Sequence, residues 1–265
     1  MKKFWFVLTA LVATCVLVAC SRSQGVKPQT IKDKKKIVVA TESEFAPFEF
    51  KTLINGKDTL VGADIELAKA IGKKLGVKVE FSVMSFDNVL ASVQSGKADI
   101  AIAGISVTNE RKKVYDFSDS YYTAENVVIV KKDKVNDFTS TDSLAKQTVG
   151  TQKGSVQETV AKKQIPKASV VSLASNGEMI NELKSGQIQA VVLEKAIAEG
   201  YISQNDDLTL ANFNLKSDGS DAYAVATRKG SDDLLKEINA VIKETKNSGK
   251  FDQWLKEAST YKQSK

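Results

Sequence analysis

The chain has 265 residues, 38 of them Lys or Arg and 32 Asp or Glu, with two Cys, three Pro and no His. Without His, no His-dependent zinc site, Ser-His-Asp triad or Cys-His dyad can be assembled, and no other metal or cofactor motif stands in the chain. Hydrophobic residues at 42% and charged residues at 26% are the proportions of a folded globular protein, and the net charge of +6 comes from Lys scattered among carboxylates, which argues against a nucleic-acid surface.

Lys2 and Lys3 precede an uncharged apolar run, Phe4 to Val16, too short for a comfortable membrane span. Leu17-Val18-Ala19-Cys20 follows and resembles a bacterial lipobox. Residues 1–19 are therefore read as a signal peptide, cleaved to leave a diacylglyceryl thioether on Cys20. Cleavage removes Cys15 and leaves no free thiol in the folded part. Residues 20–36, polar and ending in a Lys cluster, read as a flexible tether holding the fold off a membrane.

Ile37-Val38-Val39-Ala40 is an apolar run of the buried-strand kind, ending at Thr41. After a loop containing Pro47, Ala63 to Leu75 sets Ile65, Ala68, Ile71 and Leu75 on one helical face before Gly76. Val77 to Val83 alternates as a strand, Ser85 to Gln94 is a short helix, and Ile100 to Ala103 is a second buried strand. The arrangement then repeats. Thr148 to Gly150 is a strand, and Ser155 with Glu158 forms a capping box for a helix through Lys163. Val170-Val171 is a strand, Gly177 to Lys184 a helix and Ala190 to Leu193 a buried strand. Such alternation predicts largely parallel sheets covered by helices.

The two halves also echo each other residue by residue. Ser95 to Gly104 aligns with Ser185 to Glu194 at a constant offset of 90. Gly104 and Glu194 then fall at corresponding strand ends, where open α/β sheets bind ligands. Two lobes facing each other would put both on one cleft.

Three stretches carry a resemblance: Thr41 to Phe50 (TESEFAPFEF), Val61 to Ala68 (VGADIELA), and Ala103 to Arg111 (AGISVTNER) followed by Asp116 to Tyr122 (DFSDSYY). In this order and spacing the chain resembles the extracytoplasmic solute-binding proteins of bacterial ABC importers, in the polar amino-acid group. The resemblance implies a two-lobed, type II periplasmic-binding-protein fold, in which two Rossmann-like lobes are joined by two hinge strands. Lobe 1 would comprise 37–121 and 224–265, lobe 2 would comprise 126–218, and the hinge 122–125 and 219–223. It implies a monomeric, non-enzymatic carrier without cofactor, which hands a free amino acid to a membrane permease. The lipobox and Lys-rich tether place it on the outer surface of a single-membrane cell.

An amino acid can leave water only if its carboxylate and its ammonium are both paired. Arg111 offers a planar fork for the carboxylate, in the first turn of a short helix whose free N–H groups also favour an anion. The family gives Arg111 that role. By the same resemblance Ser106, the Gly104 backbone and N–H groups near Ser155 and Val156 add hydrogen bonds, Glu194 takes the ammonium, and Phe45 and Phe86 clamp the ligand side chain. Glu194 stands where Asp is usual, one methylene longer.

Arg111 and Glu194 cancel the charges of the ligand backbone. Glu42 then remains as a lone buried negative charge, which a cationic side chain would neutralise. Gln152 resembles the arginine-binding members, whereas glutamine-binding members carry Lys there. Lys153, next door, could swing in and balance Glu42. The order of expectation is arginine, then lysine or other basic amino acids, then glutamine. A dehydratase using Glu42 and Glu194 as acid and base is the rival class; nothing else in the chain supports it.

Overall fold

A computed structural model describes residues 25–262 apart from 218 and 220. The expected signal peptide at 1–19 and the lipidated Cys20 lie outside the described residues, as do Ser220 of the second hinge segment and the last three residues.

The chain reaches its first strand already packed. Helix α1 (Pro28–Lys34) begins on a proline, which suits a first turn, and ends at Lys35 with φ 55°. Ile31 is fully buried, Val26 is nearly so, and the Val26 N–H donates to the Ser231 hydroxyl at 2.7 Å. The expectation of a flexible tether over 20–36 is corrected from Val26 onward. A seven-residue helix with a single buried side chain has no periodicity to read, yet it docks.

Strand β1 (Lys36–Thr41) is followed by β2 (Glu44–Phe45), β3 (Glu49–Ile54) and β4 (Lys57–Val61), an antiparallel sheet where the pattern predicts only a loop. Then come α2 (Ala63–Leu75), β5 (Lys78–Val83), α3 (Phe86–Gln94), β6 (Ile100–Ala101), α4 (Asn109–Val114), β7 (Tyr115–Phe117) and the crossing strand β8 (Tyr122–Thr123). The second half is β9 (Asn126–Lys131), β10 (Thr148–Gln152), α5 (Val156–Gln164), β11 (Ser169–Leu173), α6 (Asn176–Ser185), β12 (Ala190–Glu194), α7 (Lys195–Ile202) and β13 (Leu208–Leu210). The chain returns through β14 (Ala222–Tyr223), paired antiparallel with β8, to β15 (Ala226–Arg228), α8 (Asp232–Asn247) and α9 (Lys250–Ala258).

The two large sheets have the orders β5-β1-β6-β15-β7 and β11-β10-β12-β9-β13. In each, the first three strands are parallel and the fourth is antiparallel. The expectation of largely parallel sheets is corrected at that fourth strand. β9 and β15 each follow a crossing strand, so the chain enters them from the opposite lobe instead of over a helix. Both faces of each sheet are covered. Ile37, Val39, Ile100 and Ile102 pack with α2, α8 and α9, while Ala40, Ala101 and Ala103 pack with α3. Val149, Ala190 and Val192 pack with α5, and Val191 and Leu193 with α6.

The offset of 90 is a structural repeat. β6 and β12 occupy the same central place, and Gly96 and Gly186 turn the chain at equivalent helix ends with φ 78° and 82°. Asp99 accepts the Val38 N–H at 2.9 Å, and its counterpart Gln189 accepts the Thr148 N–H at 3.0 Å. The capping box does not form. The Ser155 hydroxyl donates to the Gln152 carbonyl at 2.7 Å instead, and Glu158 takes the Gly154 N–H, because the turn closing β10 competes for both side chains.

Candidate functional site

The carboxyl ends of both sheets converge on one cleft. Glu42 follows β1, Gly104 and Ser106 follow β6, Gln152 ends β10 and Glu194 ends β12. Arg111 is the third residue of α4, where its own N–H caps onto the Thr108 hydroxyl at 3.1 Å. Phe45, Phe86, Ser155 and Val156 line the same region: Phe45 on β2, Phe86 opening α3, and Ser155 and Val156 opening α5.

Across the cleft the Gln152 amide donates to Glu42 Oε2 at 2.9 Å. Arg111 donates through Nη1 to the Ser106 carbonyl at 2.7 Å and through Nη2 to the Gly154 carbonyl of the other lobe at 3.1 Å. At the rim Lys153 pairs with Asp87 at 2.9 Å, and Glu44 accepts the Gly177 N–H, near the start of α6, at 3.1 Å. The cleft is thus shut, leaving Glu42 4% and Glu194 6% exposed. A hollow of about 690 Å³ opens beside it, between the first turns of α4 and α5.

Charge in this interior is out of balance. Burial pushes the Glu42 carboxyl up to about 8, with Glu44 and Glu194 pushing the same way and the Gln152 hydrogen bond opposing. Its Oε1 meets no donor among the described residues. Burial pushes Glu194 up to about 7, against the Gln157 hydrogen bond and the nearby Arg111 charge. Burial also lowers Arg111 to about 10, against the attraction of Glu194. Two buried acids and one partly buried guanidinium therefore border the same cleft. The geometry suits a small molecule bearing one carboxylate and more than one cation. Among the described residues no group of His, Cys, Asp or Glu is arranged to hold a metal.

Several expectations shift. The Phe86 ring carries the Arg111 guanidinium at 5.8 Å, so it braces the fork as well as bordering the cleft. The Gly104 N–H is spent on Asp64 at 3.1 Å. Gly104 has φ 52°, and a Cβ there would meet Phe45 at 2.5 Å, so glycine is required both for the turn and for the ring. Lys153 does not balance Glu42; it is exposed and held by Asp87, which removes that alternative.

Sequence reasoning missed Gln157, whose amide donates to Glu194 at 2.6 Å and to Asn126 at 2.7 Å. A Gln inside a short helix reads as a solvent residue, and nothing in the spacing marks it otherwise. It also missed Asp64 beneath Gly104.

The profile of the bacterial extracellular solute-binding proteins, family 3, matches residues 37–258. The arginine-binding extracellular protein ArtP of Bacillus subtilis is 35% identical over 261 residues, covering 97% of each chain. The glutamine-binding protein GlnH of the same organism is 33% identical over 276 residues, covering 97% of this chain and 98% of its own. Among solved structures, the amino acid ABC transporter substrate-binding protein AbpA from Streptococcus pneumoniae, bound to L-arginine, superposes with a TM-score of 0.86 at 49% identity, covering 89% of this chain and 100% of its own.

Proposed function

The chain belongs to the bacterial extracellular solute-binding proteins of family 3, and we propose that within it this protein captures free L-arginine, or another basic amino acid, and delivers it to an ABC transporter permease. The observation that carries the reading is that two buried acids, Glu42 and Glu194, border the cleft with the single guanidinium of Arg111. A neutral amino acid adds one charge of each sign and leaves an acid uncompensated; arginine adds a second cation and closes the count. In this reading Arg111 takes the carboxylate, Glu194 the ammonium, and Glu42 the side-chain guanidinium, while Phe45 packs along the aliphatic stem. Ser106, Ser155 and Val156 complete the hydrogen bonding, and the lobes close about β8 and β14. Arginine bound to AbpA and the arginine-binding description of ArtP support the choice.

Glutamine is the second reading, because Glu42 in its protonated form would present a hydroxyl to a side-chain amide. Calorimetry with both ligands separates them. Arginine should bind the more tightly, and Glu42→Gln should cut the arginine-to-glutamine affinity ratio at least tenfold, about 1.4 kcal/mol. Lys153→Ala should leave the ratio unchanged. A protein that prefers glutamine, with a ratio indifferent to Glu42, would reverse the assignment.

Attachment through a lipid on Cys20, at the outer surface of a single-membrane cell, belongs to the same proposal. Cys20→Ala should release the protein into the medium or leave it as precursor, with arginine binding intact; mature Cys20→Ala protein retained on the membrane would refute the anchor.

A further inference from the structure

Beneath the cleft lies a pair of acids that the charge balance does not use. Glu49, first residue of β3, is 0% exposed, and neither of its carboxyl oxygens meets an N–H or O–H donor among the described residues. Asp64, second residue of α2, is 1% exposed. Its Oδ2 accepts the Tyr121 hydroxyl at 2.8 Å and the Gly104 N–H at 3.1 Å, while its Oδ1 has no donor among the described residues. Interiors rarely leave one buried polar atom unsatisfied, and here three carboxyl oxygens are orphaned together.

We propose that Glu49 is held as the neutral acid and donates its proton to Asp64, so that the two form a buried acid–carboxylate pair that positions Gly104 at the floor of the cleft. One proton resolves most of the deficit: Glu49 gains an acceptor and Asp64 Oδ1 gains a donor. The proton belongs on Glu49 because Asp64 already receives two hydrogen bonds that favour its ionised form and Glu49 receives none. The groups facing Glu49 agree. Asp64 from α2, Glu42 from the end of β1 and Glu194 from the end of β12 are all acids, Tyr121 and Tyr223 are the neighbouring hydroxyls, and no cation among the described residues is paired with it. Burial and those acids push Glu49 well above the usual carboxylate range, whereas the Gly104 and Tyr121 hydrogen bonds limit the rise of Asp64 to about 6.

The pair matters through what it holds. Gly104 lies just beyond β6 with Phe45 packed against it, and Tyr121 directly precedes the crossing strand β8. Asp64 thereby ties α2 to the cleft floor and to the crossover, and Glu49 keeps Asp64 from being a half-satisfied buried charge. The proposal concerns the same site as the amino-acid reading, but its test uses no ligand, so the two stand or fall separately.

Burial also raises Glu42 to about 8 and Glu194 to about 7, so the measurement belongs in the Glu42→Gln, Glu194→Gln background. The infrared carbonyl stretch of a protonated carboxylic acid should be present there at about neutral pH and vanish on adding Glu49→Gln. Between the ordinary carboxylate range and the raised value of Glu49, the folded state binds a proton that the unfolded state has released, so stability must fall as pH rises. Thermal midpoints should therefore decline with pH in the background protein and decline less with Glu49→Gln added. The Gly104 amide proton, bound to Asp64, should resonate downfield in the background protein and move upfield in Asp64→Asn, whose amide oxygen is the weaker acceptor. If Glu49→Gln does not fold, the infrared band of the background protein decides alone. Absence of that band at about neutral pH, or parallel pH profiles with and without Glu49→Gln, would overturn the pair.

Discussion

Arg111 sits in the run Glu110-Arg111-Lys112-Lys113, which by charge alone looks like a solvated surface. The fold turns it inward: the Thr108 cap fixes the first turn of α4, and the guanidinium lies over Phe86 and bridges to the Gly154 carbonyl of the other lobe. Replacing it removes a contact across the cleft and, in the proposed reading, the partner for a ligand carboxylate. Arg111→Ala should weaken arginine binding by about 2–5 kcal/mol, as truncating one member of a buried charged pair does. Arg111→Lys should recover part of this, because an ammonium cannot span two carbonyls and a carboxylate as a planar fork does. Calorimetric affinity of Arg111→Ala within about threefold of the original protein would remove Arg111 from the site. Residues were legible in unequal degree. Glu42, Gln152, Arg111 and Glu194 stand beside strand ends or a recognisable helix start, and the structure gathers them. Gln157, Asp64 and Glu49 act through the depth at which they lie, and depth leaves no mark on a linear pattern.

At the scale of elements, α1 has the most to say. Its single buried side chain, Ile31, joins the core that Ile37, Ile71 and Leu234 share, and Ser231 holds the chain at Val26. Ile31→Ala should cost about 2–5 kcal/mol of stability, the range for emptying a buried Ile site, read from denaturant or thermal unfolding. An unchanged midpoint would restore the tether reading over these residues. Long, strongly patterned segments such as α2 were legible to the residue, because an apolar stripe of period 3.6 has one way to face a core. Short ones were not. Strands β2, β3 and β4 surround Pro47 and gain their pairing from each other, and the Ser155–Glu158 signal lost to a turn that the sequence does not announce.

For the molecule as a whole, the repeat was legible because both halves need the same turn, the same buried strand and the same side-chain acceptor at its foot, Asp99 or Gln189. What the repeat builds is a cleft whose two walls meet. Gln152 to Glu42, Arg111 to Gly154, Lys153 to Asp87 and Gly177 to Glu44 favour the shut cleft. Burial of Glu42 and Glu194 opposes it. Each is raised in the shut form, to about 8 and about 7 from an ordinary 4.5, and would return toward that value once water enters. A shut, ligand-free cleft would therefore bind protons that a water-filled one has released, and raising the pH from about 5 to 8 should favour opening. Small-angle scattering of the ligand-free protein should show the radius of gyration growing between about pH 5 and about pH 8, with saturating arginine reversing the change. The Glu42→Gln, Glu194→Gln protein should stay compact throughout, since neither amide can ionise. Arginine affinity should rise over the same interval, because at low pH the ligand must displace protons before its cations can pair. A radius indifferent to pH in the original protein would mean that the two acids do not govern closure, and that the rim contacts alone set the balance.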